Sequence, residues 1–182
     1  MINKYNVPLM RNAFLDEDSV RKDLAEFILN AGKFSMGDQC RKFESNFADW
    51  TDSKYAVLVN SGGSANLVML QVLKNLGKLN EGDKIGFTAL TWSTNVFPIM
   101  QHGFVPMPID IKPELLNSSY DQVVDSIEKN NLKCLFLTNV LGYSSDLPRI
   151  KNYCDSNGVL LLEDNCESLG TILWDDSRTG SH

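Results

Sequence analysis

Five short, unbroken apolar runs occupy the middle and end of the chain: YAVLV from Tyr55, KIGFT from Lys84, FVPMPI from Phe104, KCLFLT from Lys133 and VLLLE from Val159. Runs this short with no polar alternation read as strands covered on both faces. Between them lie segments with helical apolar spacing, Ser64 to Leu76, Thr94 to Gln101, Tyr120 to Lys129 and Leu147 to Ser156. A strand that returns parallel to its neighbour needs such a crossover, so the alternation predicts an α/β fold, a mostly parallel sheet flanked by helices. Gly82-Asp83 and Asn157-Gly158 punctuate two helix-to-strand turns, where glycine takes the left-handed conformation without steric cost.

Ahead of the first run, Val20, Leu24, Phe27 and Ile28 recur with the spacing of one buried helix face between Glu17 and Leu29. Asp16, Glu17 and Asp18 suit the start of that helix, where negative charge meets the positive dipole end. A second amphipathic segment carries Cys40, Phe43, Phe47 and Trp50, and the two helices are expected to pack together. The chain thus divides into residues 1–50, an extended arm around Val7-Pro8-Leu9 followed by helices, and residues 51–182, an incomplete sheet domain. At 182 residues and 43% hydrophobic it can bury one sizeable core. A net charge of −6, with no Lys or Arg run, argues against a nucleic-acid partner. No apolar stretch reaches the roughly 18 residues a membrane span needs, and MINKYNVPLMRN is no leader, so a cytoplasmic protein is expected. Cys40, Cys134, Cys154 and Cys166 form no C-x-x-C pair, which disfavours zinc and points to reduced thiols.

In open parallel sheets ligands bind outside the carboxyl ends of the strands, where loops converge and helix N-termini point outward. Three such rims carry chemistry. The run ending at Val59 opens into Asn60-Ser61-Gly62-Gly63-Ser64-Ala65-Asn66, a turn whose glycines admit a close anion to free N–H groups. Taken alone, that turn is also readable as a capped helix start with no ligand. The run ending at Leu162 continues into Glu163-Asp164, and a carboxylate held there at low dielectric needs a cationic or protonated partner such as a pyridinium nitrogen. Asp164 is the candidate; a helix cap or a surface acid is the plainer alternative. Trp92 sits at the third rim, placed to stack on a flat ring or to anchor the core. The P-loop and G-x-G-x-x-G patterns are absent: Gly32 to Gly37 has a P-loop gap, but Asp38-Gln39 replace the required Lys and Ser/Thr.

These features, in this order, resemble the DegT/StrS family of sugar-nucleotide aminotransferases, fold-type-one enzymes that use pyridoxal 5'-phosphate (PLP). The resemblance runs from Val7-Pro8-Leu9 through Gly37, Phe43-Glu44, Phe47, Glu81-Gly82-Asp83, Phe104-Val105-Pro106, Asp110 and Asn139-x-x-Gly142 to the segment Glu163–Gly170. It implies a partial large domain of the PLP-dependent transferase fold, in which Gly62, Gly63 and Ser64 hold the cofactor phosphate. It implies further that Trp92 stacks on the pyridine ring of PLP or its amine form, Asp164 pairs with the ring nitrogen, and Glu167 lies near the ring hydroxyl. Glu167 departs from the usual Gln or His, and Gly63 from the usual Ser or Thr, which leaves the side-chain hydroxyl to Ser64. Two stretches, Asn60–Asn66 and Glu163–Gly170, resemble the dehydratase branch, in which a histidine replaces the cofactor-binding lysine. The resemblance places that position beyond residue 182, and no lysine follows Asp164.

The implied partners are a nucleotide-linked sugar and a second subunit, in deoxysugar or surface-polysaccharide synthesis, with no turnover expected of this chain alone. The competing reading is a non-catalytic module that binds a phosphorylated ligand or a subunit. His102 reads as a helix-end cap, and Trp174 with Asp175-Asp176-Ser177-Arg178 as a solvated turn.

Overall fold

The computed structural model describes residues 16–181; the Val7-Pro8-Leu9 arm and His182 lie outside them. Helices α1 (Glu17–Asn30), α2 (Asp38–Trp50) and α3 (Gly62–Asn75) precede strand β1 (Lys84–Thr88). Helix α4 (Ser93–Gln101), β2 (Val105–Ile109), α5 (Tyr120–Asn130), β3 (Cys134–Thr138), α6 (Leu147–Asn157) and β4 (Leu160–Asp164) follow. The strands form a wholly parallel sheet in the order β2-β1-β3-β4, the α/β class expected. Asn131 and Gly158, both left-handed, end α5 and α6 ahead of β3 and β4.

Strand periodicity divides the core between the two faces. Ile85, Phe87, Cys134 and Phe136 point to one face and pack with Leu70 and Ile99, from α3 and α4. Leu135 and Leu137 point to the other, with Val123, Ile127, Leu147 and Ile150 of α5 and α6. Gly86 of β1 belongs to that second face, and its lack of a side chain is a packing requirement. An added Cβ would lie 2.6 Å from Leu132 Cδ1, 2.9 Å from Leu135 Cδ2 and 3.0 Å from Ile109 Cδ1.

Two expectations fail. The YAVLV run joins no sheet among the described residues, and Tyr55 and Val57 are 76% and 77% exposed. A run becomes a strand only where another backbone can take its hydrogen bonds. Here the Leu58 N–H is taken instead by the Glu44 carboxylate at 2.8 Å, and the segment lines a cleft with Glu163 and Gly180. The paired burial of α1 and α2 is absent too. No residue of α1 is buried among the described residues, and Leu29 is 84% exposed. The helix is held by local terms: Asp16 caps the Ser19 N–H at 3.1 Å, as its acidic start implied, and Phe27 meets Phe34 edge-on.

Candidate functional site

The neighbouring acids at the end of β4 part company because successive strand residues face opposite sides. Leu160 and Leu162 pack on the α3/α4 face and Leu161 on the α5/α6 face. By the same alternation Asp164 turns toward α3 and α4, whereas Glu163 accepts from Asn139 Nδ2 at 3.2 Å and from the Gly180 N–H at 3.2 Å.

Asp164 is the point where three elements meet. Its Oδ2 accepts from Asn66 Nδ2 of α3 at 3.0 Å and from Asn95 Nδ2 of α4 at 2.8 Å. Its Oδ1 accepts the Cys166 N–H at 3.1 Å, a local turn that also meets the cap reading. Partial burial works against the charged carboxyl, but the donors Asn66, Cys166 N–H and Asn95 outweigh it and hold Asp164 below the ordinary aspartate value. The Cys166 thiol, a weak donor, also contacts it and is itself pushed up to about 11, by burial first and by Asp164 second.

The Gly-Ser turn lies at the start of α3. Ser61 is the N-cap, its Oγ accepting the Ser64 N–H at 3.1 Å and lying 3.1 Å from Ser64 Oγ. That cap uses one of the free first-turn donors and leaves the N–H groups of Gly62 and Gly63 with no acceptor inside the helix. A Cβ at Gly62 would meet nothing within 4 Å, so the turn has open space beside it, whereas one at Gly63 would touch Thr94 Cγ2 at 3.6 Å. The turn therefore abuts the first residues of α4.

Trp92 is the N-cap residue of α4 and is 59% exposed, so it is no core anchor. Glu167 is exposed, and its Oε2 accepts the Leu141 N–H at 2.9 Å. The backbone of Gly63 and the residues just beyond Trp92 thus adjoin, and the helices they begin both reach Asp164. Glu167 sits beyond the strand end, tied to the loop after β3. Sequence reasoning assigned nothing to Asn95 and used Asn66 only as part of a motif. The available signal was an amide at a core position of each helix, four residues after Gly62 and three after Trp92.

Elsewhere, His102 is the C-cap residue of α4, as expected, and its ring lies 3.0 Å from the Leu67 carbonyl. Trp174 is exposed and donates to Asp146 at 3.2 Å. Among the described residues no cluster of His, Cys, Asp or Glu fit for a metal occurs, and no helix is long and apolar enough to cross a membrane.

The chain is 32% identical over 170 residues to GDP-4-keto-6-deoxy-D-mannose 3-dehydratase of Yersinia pseudotuberculosis, covering 92% of this chain and 42% of that protein. It is 28% identical over 153 residues to GDP-perosamine synthase of Vibrio cholerae, covering 84% and 40%. The crystal structure of a GDP-4-keto-6-deoxymannose-3-dehydratase (ColD) variant with bound GDP-perosamine superposes with a TM-score of 0.86 at 30% identity, over 96% of this chain and 45% of that one. The chain thus spans less than half the length of these relatives. Residues 16–182 match the model of the DegT/DnrJ/EryC1/StrS aminotransferase family, and the chain belongs to that family.

Proposed function

We propose that this chain forms the cofactor-holding part of a PLP-dependent enzyme acting on a nucleotide-linked sugar, a 3-dehydratase or an aminotransferase of deoxysugar or surface-polysaccharide synthesis. The observation that carries the reading is the convergence of α3, α4 and β4 on Asp164. In this reading residues 51–182 hold the cofactor, and residues 1–50 are the arm and helices around it.

The residues present fit the group. Gly62 and Gly63 offer first-turn N–H groups beside open space, and Ser64 adds a hydroxyl, a donor set suited to one phosphate. Trp92 offers an exposed indole for stacking. Asp164 is held ionised by three nitrogen donors, and among the described residues only the weak Cys166 thiol competes for the remaining acceptor capacity, which suits the N–H of a protonated pyridine. In this reading Glu167 would serve the ring hydroxyl. When bound, PLP supplies an electron sink for bond cleavage beside its reactive carbon. The chain's own part is to cradle the phosphate, cover one ring face and hold the proton on the ring nitrogen.

A second copy of the chain belongs to this reading, supported by the apolar residues Leu24, Ile28 and Leu29 that α1 leaves exposed. A cytoplasmic setting is supported by the free thiols of Cys134 and Cys154.

Titration with PLP, read by tryptophan fluorescence, tests the reading. Saturable quenching is expected, lost in Trp92→Phe because Trp50 and Trp174 lie elsewhere, against Arg178 and Asp146. Asp164→Ala should weaken binding about tenfold, the worth of one charge-assisted hydrogen bond. Equal affinity for PLP and inorganic phosphate, with no effect of Asp164→Ala, would leave only a phosphate-binding module.

A further inference from the structure

We infer that Asn66 and Asn95 are positioning residues for Asp164: two buried amides from two helices converge on a single carboxylate oxygen and fix its orientation at the strand end. The inference rests on the cofactor-holding reading above and says how the acid is kept aimed and charged without a cation.

Asn66 and Leu70 lie one turn apart on the same face of α3, and both are buried, Asn66 at 4% exposure. An amide at a core position is destabilising unless its hydrogens are bonded. Asn66 Nδ2 has two hydrogens and two acceptors, Asp164 Oδ2 at 3.0 Å and the Thr94 carbonyl at 3.2 Å. That carbonyl is available for a reason legible in the sequence. Its helical donor would be the N–H of the residue four positions on, which is Pro98, and proline has none. Pro98 thus opens an acceptor in α4 that the amide of α3 fills, and the same nitrogen then reaches the acid.

Asn95 is 0% exposed and donates to the same Oδ2 at 2.8 Å, while its own Oδ1 has no hydrogen-bond partner among the described residues. An unpaired buried carbonyl carries a desolvation penalty that leucine, of similar shape, would avoid. What Asn95 adds over leucine is the donor. The reversed amide would set Oδ1 against the carboxylate, so the charge of Asp164 dictates which way the amide points.

Among the described residues no Lys, Arg or His pairs with Asp164; the titratable group that contacts it is Cys166, on which Glu167 acts in turn. The choice of amides has a chemical consequence. A guanidinium would stabilise the carboxylate by neutralising it, whereas amide donors stabilise it and leave its full charge for a cationic ring nitrogen.

The test follows Asp164 directly, in the 182-residue chain with no added ligand. With aspartate labelled at the carboxyl carbon, and Asp164 assigned through Asp164→Asn, NMR titration should show Asp164 ionising below the ordinary aspartates. The side-chain NH2 signals of Asn66 and Asn95 should move in step with it. Asn66→Leu and Asn95→Leu should each shift the Asp164 titration upward and weaken PLP about tenfold. Asn66→Leu also strands the Thr94 carbonyl, so Pro98→Ala, which restores a helical donor, is added to it. The double variant should regain thermal stability while Asp164 stays shifted, an outcome that a merely structural role for Asn66 would not give. Amide signals that ignore the titration, or leucine variants that leave Asp164 unmoved, would overturn the inference even if PLP binds. Failure of the unsubstituted chain to bind PLP, with the amide response intact, would instead sink the cofactor reading alone.

Discussion

Helix α1 and the four-strand block carry equally clear apolar patterns and meet opposite fates. In the block, every apolar residue of β3 is buried, because α3 and α4 cover one face of the sheet and α5 and α6 the other. In α1 the same kind of spacing leaves Leu24, Ile28 and Leu29 exposed, and the Tyr55–Val59 run, strand-like in composition, joins no sheet among the described residues. Patterning specifies which face of an element is to be covered, and stability comes only where a second surface does the covering. In the candidate site, Asn66 and Asn95 come from the covered region, whereas Trp92 and Glu167 stay exposed.

Substitutions should separate the two regions sharply. The largest effect belongs to Phe136→Ala, which empties the centre of the α3/α4 face and should lower stability to urea by about 3–5 kcal/mol. Gly86→Ala attacks the opposite face, forcing a methyl against Leu132, Leu135 and Ile109, and should cost about 1–3 kcal/mol by the same measurement. A smaller, pH-dependent effect belongs to the strand end. Asp164 ionises below the ordinary aspartate value, so it stabilises the fold above that value. That contribution is lost as pH falls through its own, lower pKa. Acid unfolding followed by circular dichroism should accordingly be steeper for the unsubstituted chain than for Asp164→Asn. Smallest of all, Leu29→Ser in α1 should stay within about 0.5 kcal/mol of the parent. A loss there as large as that of Gly86→Ala would erase the distinction between the regions.

The same distinction explains what the sequence disclosed. Strands β1 to β4 and their helices were legible because each apolar run lies beside its own crossover, and local pattern and tertiary context agree. YAVLV had the composition without the neighbour, and nothing local distinguishes those cases. Asp164 was legible as one of two acids ending an apolar run; that it, rather than Glu163, turns toward α3 and α4 is a finding of the structure, set by the facing of Leu160 and Leu162. Its donors were not legible. Asn66 and Asn95 lie 98 and 69 residues from it in sequence, and an asparagine in a helix announces no distant acceptor. Beside the amides at core positions, Pro98 was a local clue, since a proline within a helix leaves a carbonyl that some other donor must satisfy.

That proline also bears on motion. Since the first turn of α4 completes its bonding through the Asn66 side chain of α3, opening there breaks a hydrogen bond shared by the two helices. Native-state hydrogen exchange should therefore register the opening of the two turns as one cooperative event with a shared protection factor. A ligand seated on either turn would slow exchange at both.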